Sequence, residues 1–274
     1  MKDFEEQLKS IYSKDLEEKK TWYSAVADAY NQTRPSYPAE LINRVVKLAG
    51  LPPGANLLEI GCGPGTATTA FASKALSLVC LEPCWESYQL GRQNCQQYPN
   101  VEILNTTFEE WELERTRFHG VLAASSFHWI GTEIGCPKAA DALEENGRLI
   151  LLWNTPPQPK DELYSVLNQV YQTHAPSLAP YEDMRTHEEN LSRLADLVID
   201  SGYFQDLLSE QLVCEVTYSI DDYLALLSTL SPYIMLDPQQ RHSLFAGLKE
   251  TLERNCPSQL QTSYLSVLQI AKKR

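Results

Sequence analysis

Leu57-Leu58-Glu59-Ile60-Gly61-Cys62-Gly63-Pro64-Gly65-Thr66 is the stretch around which the rest of the chain can be ordered. Its apolar start, from about Ala55, predicts a buried strand. The three glycines at alternate positions predict a turn with a bare main chain. Without a Cβ, glycine adopts backbone angles closed to other residues and lets a ligand approach the peptide groups. The alanine- and threonine-rich run beyond Thr66 predicts a helix reaching Ala75. A strand, a glycine turn and a helix form the opening unit of an open parallel sheet, whose ligands sit beyond the carboxyl ends of the strands.

Working outward, Pro35-Ser-Tyr-Pro38 reads as a turn and 39–49 as a helix stopped by Gly50. Downstream, apolar runs at 76–81, 101–104, 118–124, 148–153, 211–218 and 262–270 predict six more strands, with helices at 85–97 and 136–145. This alternation predicts an α/β fold with a seven-stranded, mostly parallel, doubly wound sheet. Residues 155–207 show helical periodicity and no good strand. They exceed the dozen or so residues that a crossover needs and read as a helical insertion after strand five. Two further helices announce their starts: Ser219 stands three residues before Asp222, and Asp237 precedes Pro238 with Gln240 at the third helical position.

The glycine turn implies a nucleotide-type ligand. A dinucleotide loop reads GxGxxG, but here its third glycine position is Thr66 and glycine stands one earlier, at 65. Glu59, read as ionised, would repel a pyrophosphate and attract a cationic ligand. Glu82 follows strand two, 21 residues after Gly61, where an acid accepts both ribose hydroxyls. The set points to a phosphate-free adenosine derivative carrying positive charge, which is the chemistry of S-adenosylmethionine.

Motif LLEIGCGPGT with Glu82 resembles motif I and the partner acid of class I S-adenosylmethionine-dependent methyltransferases. Arg34-Pro-Ser-Tyr-Pro38, Phe108-Glu-Glu-Trp111, Ser126-Phe-His-Trp-Ile130 and 147–154 extend the resemblance to the small-molecule branch that includes trans-aconitate methyltransferase-like proteins. The resemblance implies a Rossmann-like methyltransferase fold with sheet order 3-2-1-4-5-7-6 and an antiparallel last strand. One domain is expected over 1–274, with 1–38 as an N-terminal helical lid and the insertion 155–207, which the resemblance does not cover, as an acceptor-side cap. The resemblance also implies that Glu59, Gly61, Cys62 and Gly63 line the donor, Glu82 and Pro83 hold the ribose, Thr107 and Phe108 lie near the adenine, and Ala124 and Ser125 lie near the sulfur. Tyr30 and Arg34 would close over the donor's carboxylate or an anionic acceptor.

His128, after strand four, is the candidate general base, set against a purely structural histidine locking the loop. The expected reaction is methyl transfer to an oxygen, or less favourably a nitrogen, of a small-molecule acceptor, leaving S-adenosylhomocysteine. The alternatives are a catalytically silent S-adenosylmethionine-binding regulatory protein, an aminopropyltransferase and a Rossmann-type NAD(P) oxidoreductase. Against 23 Lys and Arg stand 36 Asp and Glu, a net charge of −13 that argues against a nucleic-acid partner. The charged N-terminus does not read as a secretory signal, and no apolar run suits a membrane span. Seven cysteines without a CxxC pair suggest no metal site and a reducing cytoplasm.

Overall fold

The computed structural model describes residues 11–178, 182–256 and 259–274. Positions 1–10 of the charged start lie outside the described residues. Its continuation includes a helix at Leu16–Thr21, opened by a capping box between Asp15 and Glu18. Next come the helix Ala27–Thr33 and the helix Ala39–Leu48, which ends at Gly50 with φ +64°.

Strands β1 (Asn56–Ile60), β2 (Ser77–Leu81), β3 (Val101–Leu104), β4 (Phe118–Ala124) and β5 (Leu143–Asn154) lie parallel in the order β3-β2-β1-β4-β5. The sheet continues through β8 (Leu260–Lys273), which runs antiparallel both to β5 and to β7 (Phe204–Tyr218). The seven long strands therefore follow the expected order. A two-residue strand β6, Gln158–Pro159, is an addition and pairs with Thr262 and Ser263.

Several boundaries differ from the sequence reading. The helix after the glycine turn is one short stretch, Thr68–Ala72, and the next ends at Asn94. The helix expected at 136–145 is Thr132–Ala142, because Leu143 already pairs with Phe118. The expected starts after Ser219 and Asp237 are present, each side chain accepting from the first-turn amides of its helix, Ile220–Ser228 or Pro238–Asn255. Residues 155–207 divide between two environments. Helix Asp161–His174 packs with the C-terminal helices, where Tyr171 and Tyr233 share a 2.7 Å hydrogen bond. Helix Met184–Asp200 instead buries Val198 against the sheet, and β7 begins at Phe204. One helix of the expected insertion, Met184–Asp200, is therefore the crossover helix that a doubly wound sheet requires.

Two cores cover the two faces of the sheet, one around Leu58, Phe118 and Leu149 and the other around Leu57, Phe71 and Ile150. Gly120, central in β4, makes the second face possible. A Cβ there would come within 2.8 Å of Leu57 Cδ2 and 3.1 Å of Ile150 Cδ1. Gly120→Val should therefore lower stability by about 1–3 kcal/mol, the usual cost of overpacking, measured as a reduced urea midpoint at unchanged m-value.

Candidate functional site

The chain leaves β1 at Ile60 and turns through Gly61, Gly63 and Gly65, all with positive φ. At Gly61 a Cβ would stand 2.8 Å from Ser126 Cβ, so the turn must pass bare beneath the β4 loop. At Gly63 the same atom would meet nothing within 4 Å, which leaves the main chain open to a ligand. The turn is pinned from behind: Cys62 N donates to Leu81 O at 3.0 Å, and Asn94 Nδ2 donates to Pro64 O at 2.8 Å.

Two carboxyls stand under this turn. Glu82 is 6% exposed; its Oε2 accepts from Gly63 N at 2.7 Å and its Oε1 from Cys84 N at 2.8 Å. Burial pushes its pKa up to about 7 despite those two amides. Glu59 is fully buried, with Oε2 accepting from Thr68 Oγ1 at 2.7 Å and from the Cys80 thiol at 3.5 Å. Its Oε1 has no hydrogen-bond partner among the described residues, and burial raises its pKa to about 7. The sequence reading treated Glu59 as an ionised group facing the ligand. The structure instead places it one layer beneath the turn, where desolvation holds its proton near neutrality.

Above the turn is a cleft bounded by the turn itself, the ends of β4 and β5 and the N-terminal segment. Gly61, Cys62 and Gly63 form its floor and Ala124 and Ser125 a wall, while Tyr30, Arg34 and Tyr37 come from the N-terminal segment. Ser125 has φ +55° and is held there by Leu152 O, which accepts from its amide at 2.7 Å, and by the Tyr37 hydroxyl at 3.0 Å from Oγ. Arg34 lies over the Tyr30 ring, 4.7 Å from its centroid, and donates from Nε and Nη2 to Thr229 Oγ1 and O at 2.8 and 2.9 Å. Among the described residues it is the only Lys, Arg, Asp, Glu or His lining the cleft.

Six sequence-predicted residues are not in this lining: Glu59 and Glu82, which lie beneath the turn, and Pro83, Thr107, Phe108 and His128. Thr107 caps a turn by accepting from Glu110 N at 3.0 Å, and Phe108 is 2% exposed in the core, stacked on Trp111. Pro83 is half-buried beside Glu82, and its carbonyl accepts from Asn105 Nδ2 at 3.1 Å. His128 lies against the rings of Trp129 and Trp153, at 5.8 and 5.6 Å, and burial lowers its pKa to about 4. The imidazole is thus neutral near pH 7 but sits in an aromatic wall rather than at the cleft surface. Conversely, Asn154 and Thr155 do line the cleft, although the sequence analysis named neither as a site residue. Asn154 Nδ2 donates to Pro35 O at 2.9 Å and so ties β5 to the N-terminal segment. Its position at the carboxyl end of a strand beside β4 was the signal that could have identified it. Among the described residues no cluster of His, Cys, Asp and Glu is arranged to hold a metal, and no helix is long and apolar enough to cross a membrane.

Residues 57–147 match the family model described as a methyltransferase domain. An uncharacterized methyltransferase of Mycobacterium tuberculosis is 32% identical over 133 residues, 48% of this chain and 52% of the relative. The match thus spans about half the length of that relative. An uncharacterized methyltransferase of Schizosaccharomyces pombe is 22% identical over 235 residues, 85% of this chain and 88% of that one. A solved structure from Anaeromyxobacter dehalogenans, described as a type II methyltransferase, superposes with a TM-score of 0.64 at 18% identity, covering 88% of this chain and 97% of that one. A Haemonchus contortus phosphoethanolamine N-methyltransferase 2, solved with phosphomonomethylethanolamine and S-adenosylhomocysteine, gives 0.53 at 14% identity, covering 95% of this chain and 60% of that one. The fold is the Rossmann-like fold that these methyltransferase structures share, and the stretch that resembles the methyltransferase-domain model contains the glycine turn and the strands around it.

The raised pKa of Glu59 makes a statement about stability. A carboxyl of about 7 in the fold and 4.5 in the reference state stabilises the native chain fully below 4.5. That contribution fades as pH rises through 7 and amounts to about 3 kcal/mol over the whole interval. Glu59→Gln keeps an acceptor for Thr68 and Cys80 but cannot ionise. Thermal melts from pH 5 to 8 should therefore fall less steeply with pH for Glu59→Gln than for the parent protein; parallel curves would refute the assignment.

Proposed function

We propose that the protein is an S-adenosylmethionine-dependent methyltransferase that transfers a methyl group to an oxygen of a small-molecule acceptor, leaving S-adenosylhomocysteine. The observation that carries this reading is the glycine turn with two buried carboxyls under it and a single cation above it. A dinucleotide's pyrophosphate would need the amides of the turn, and the central one, Gly63 N, is already taken by Glu82 Oε2 at 2.7 Å. A donor with an ammonium, a ribose and a carboxylate meets complementary groups. Each Glu82 oxygen holds one amide and keeps a lone pair for a ribose hydroxyl. The orphaned Glu59 Oε1, fully buried beneath the turn, suits a water that passes on an ammonium proton from the cleft. Arg34, with three of its five N–H groups unpartnered among the described residues, suits the carboxylate.

Bound in this cleft, the donor supplies a methyl group on a sulfonium that leaves as a neutral thioether. The protein's contribution is alignment and exclusion of water. Glu82 and Gly63 fix the ribose end, and Ser125, held by Tyr37, defines the wall nearest the sulfur. Segment 22–38 covers the cleft as a lid. Thr107 and Phe108 support the adenine end without touching it, since the first is engaged in a turn and the second in the core. For 155–207 the cap reading narrows to Thr155, because Met184–Asp200 covers the sheet.

The structure also recasts His128. With no imidazole or carboxylate among the described residues that line the cleft, the acceptor is best read as a group already nucleophilic at neutral pH, and an ionised oxygen needs no base. His128 then holds Trp129 and Trp153 in place. The small-molecule reading rests on the resemblance to the trans-aconitate methyltransferase-like branch and on the net charge of −13, which opposes polyanionic acceptors. The missing base equally suits a silent S-adenosylmethionine-binding regulator. Turnover separates the two: release of S-adenosylhomocysteine from a metabolite pool supports the enzyme.

Calorimetry should show binding of S-adenosylmethionine and S-adenosylhomocysteine and none of NADH; the reverse would overturn the reading. Ribose hydroxyls donate to an ionised carboxylate, so below pH 7 binding must first expel the Glu82 proton. Affinity should therefore tighten as pH rises from 6 to 8, with proton release visible in buffers of different ionisation enthalpy. Glu82→Ala should weaken binding by about 1–3 kcal/mol and abolish that pH dependence.

A further inference from the structure

We infer that Thr229 is a positioning residue for donor recognition, aiming the Arg34 guanidinium at the carboxylate end of the ligand. This rests on the donor reading above and adds to it a residue 195 positions from Arg34, outside every motif. Arginine has a long flexible side chain, and one left free at a cleft edge would spread over many rotamers. Thr229 removes that freedom with two acceptors on one fully buried residue. Its hydroxyl proton is already committed to Leu226 O at 2.6 Å, so the lone pairs of Oγ1 are what Arg34 Nε meets. Thr229 also stands at the carboxyl end of the helix Ile220–Ser228, where the partial negative charge of the terminal carbonyls favours a cation. With the Tyr30 ring on one face and Thr229 along one edge, the guanidinium plane is set, and its remaining N–H groups are available to the cleft that Arg34 lines.

Two ligands separate aiming from general support. S-adenosylhomocysteine carries the amino-acid carboxylate, whereas 5′-methylthioadenosine keeps the adenosine and the sulfur but lacks it. Thr229→Val preserves shape and removes the Oγ1 acceptor together with the hydroxyl's bond to Leu226 O. It should weaken S-adenosylhomocysteine about 5- to 30-fold, the equivalent of one charge-assisted hydrogen bond, and change 5′-methylthioadenosine by less than about 2-fold. Thr229→Ser restores the acceptor and should match the parent protein for both ligands. Tyr218→Phe removes a neighbouring tie, the hydroxyl donating to Thr33 O at 2.9 Å, and should leave the ratio of the two affinities unchanged. Equal weakening of both ligands by Thr229→Val, or of neither, would overturn the inference, as would a parent protein that binds S-adenosylhomocysteine no more tightly than 5′-methylthioadenosine. A parent protein that binds neither ligand would overturn the donor reading and this inference together.

Discussion

The carboxyl of Glu82 bridging Gly63 N and Cys84 N is the contact on which the site depends. It joins the first strand–turn–helix unit to the second and fixes the middle of a turn built from residues with the least intrinsic backbone preference. A glycine turn gains ligand access at the expense of rigidity, and a buried carboxyl accepting its central amide restores what glycine gives up. Helix Trp85–Asn94 adds the second support. Its Gly91 lies so close that a Cβ there would stand 2.9 Å from Gly63 O, and Asn94 holds the next carbonyl.

The roof of the cleft is assembled from distant parts of the chain. Trp22 and Tyr23 pack edge-on against Trp129 and both reach Ser231 Oγ, while Asn94 Nδ2 also donates to Asn31 Oδ1. The N-terminal segment is thus tied to the helix after β2, to the loop after β4 and to the C-terminal helices. Such ties make the cleft a property of the whole fold, although the segment matched as a methyltransferase domain contains its floor.

Local signals carried most of what the sequence revealed. The strand ending in Gly61, the caps at Ser219 and Asp237 and the stop at Gly50 each depend on a few neighbouring residues whose backbone demands are strong. Glu59 was misjudged because its environment is set by Thr68, Cys80 and the sheet around them, and a spacing pattern contains no information about desolvation. The ring contact of His128 with Trp153 was not legible, since Trp153 comes from another strand. Residues 155–207 read as one insertion because helical periodicity looks alike whether a helix covers a sheet or packs on other helices. Thr229 had no signal at all: a threonine after a helix is unremarkable until Arg34 arrives.

The placement of β8 between β5 and β7 has a consequence for biosynthesis. The ribosome delivers this strand after both of its neighbours, so a nascent chain holds two open strand borders until it arrives. Leu265, Val267, Leu268 and Ile270, each at most 3% exposed, are the residues that seal that gap. A premature stop anywhere before residue 260 would leave the two halves of the sheet unjoined, and chaperones would meet an adhesive intermediate with an intact glycine turn.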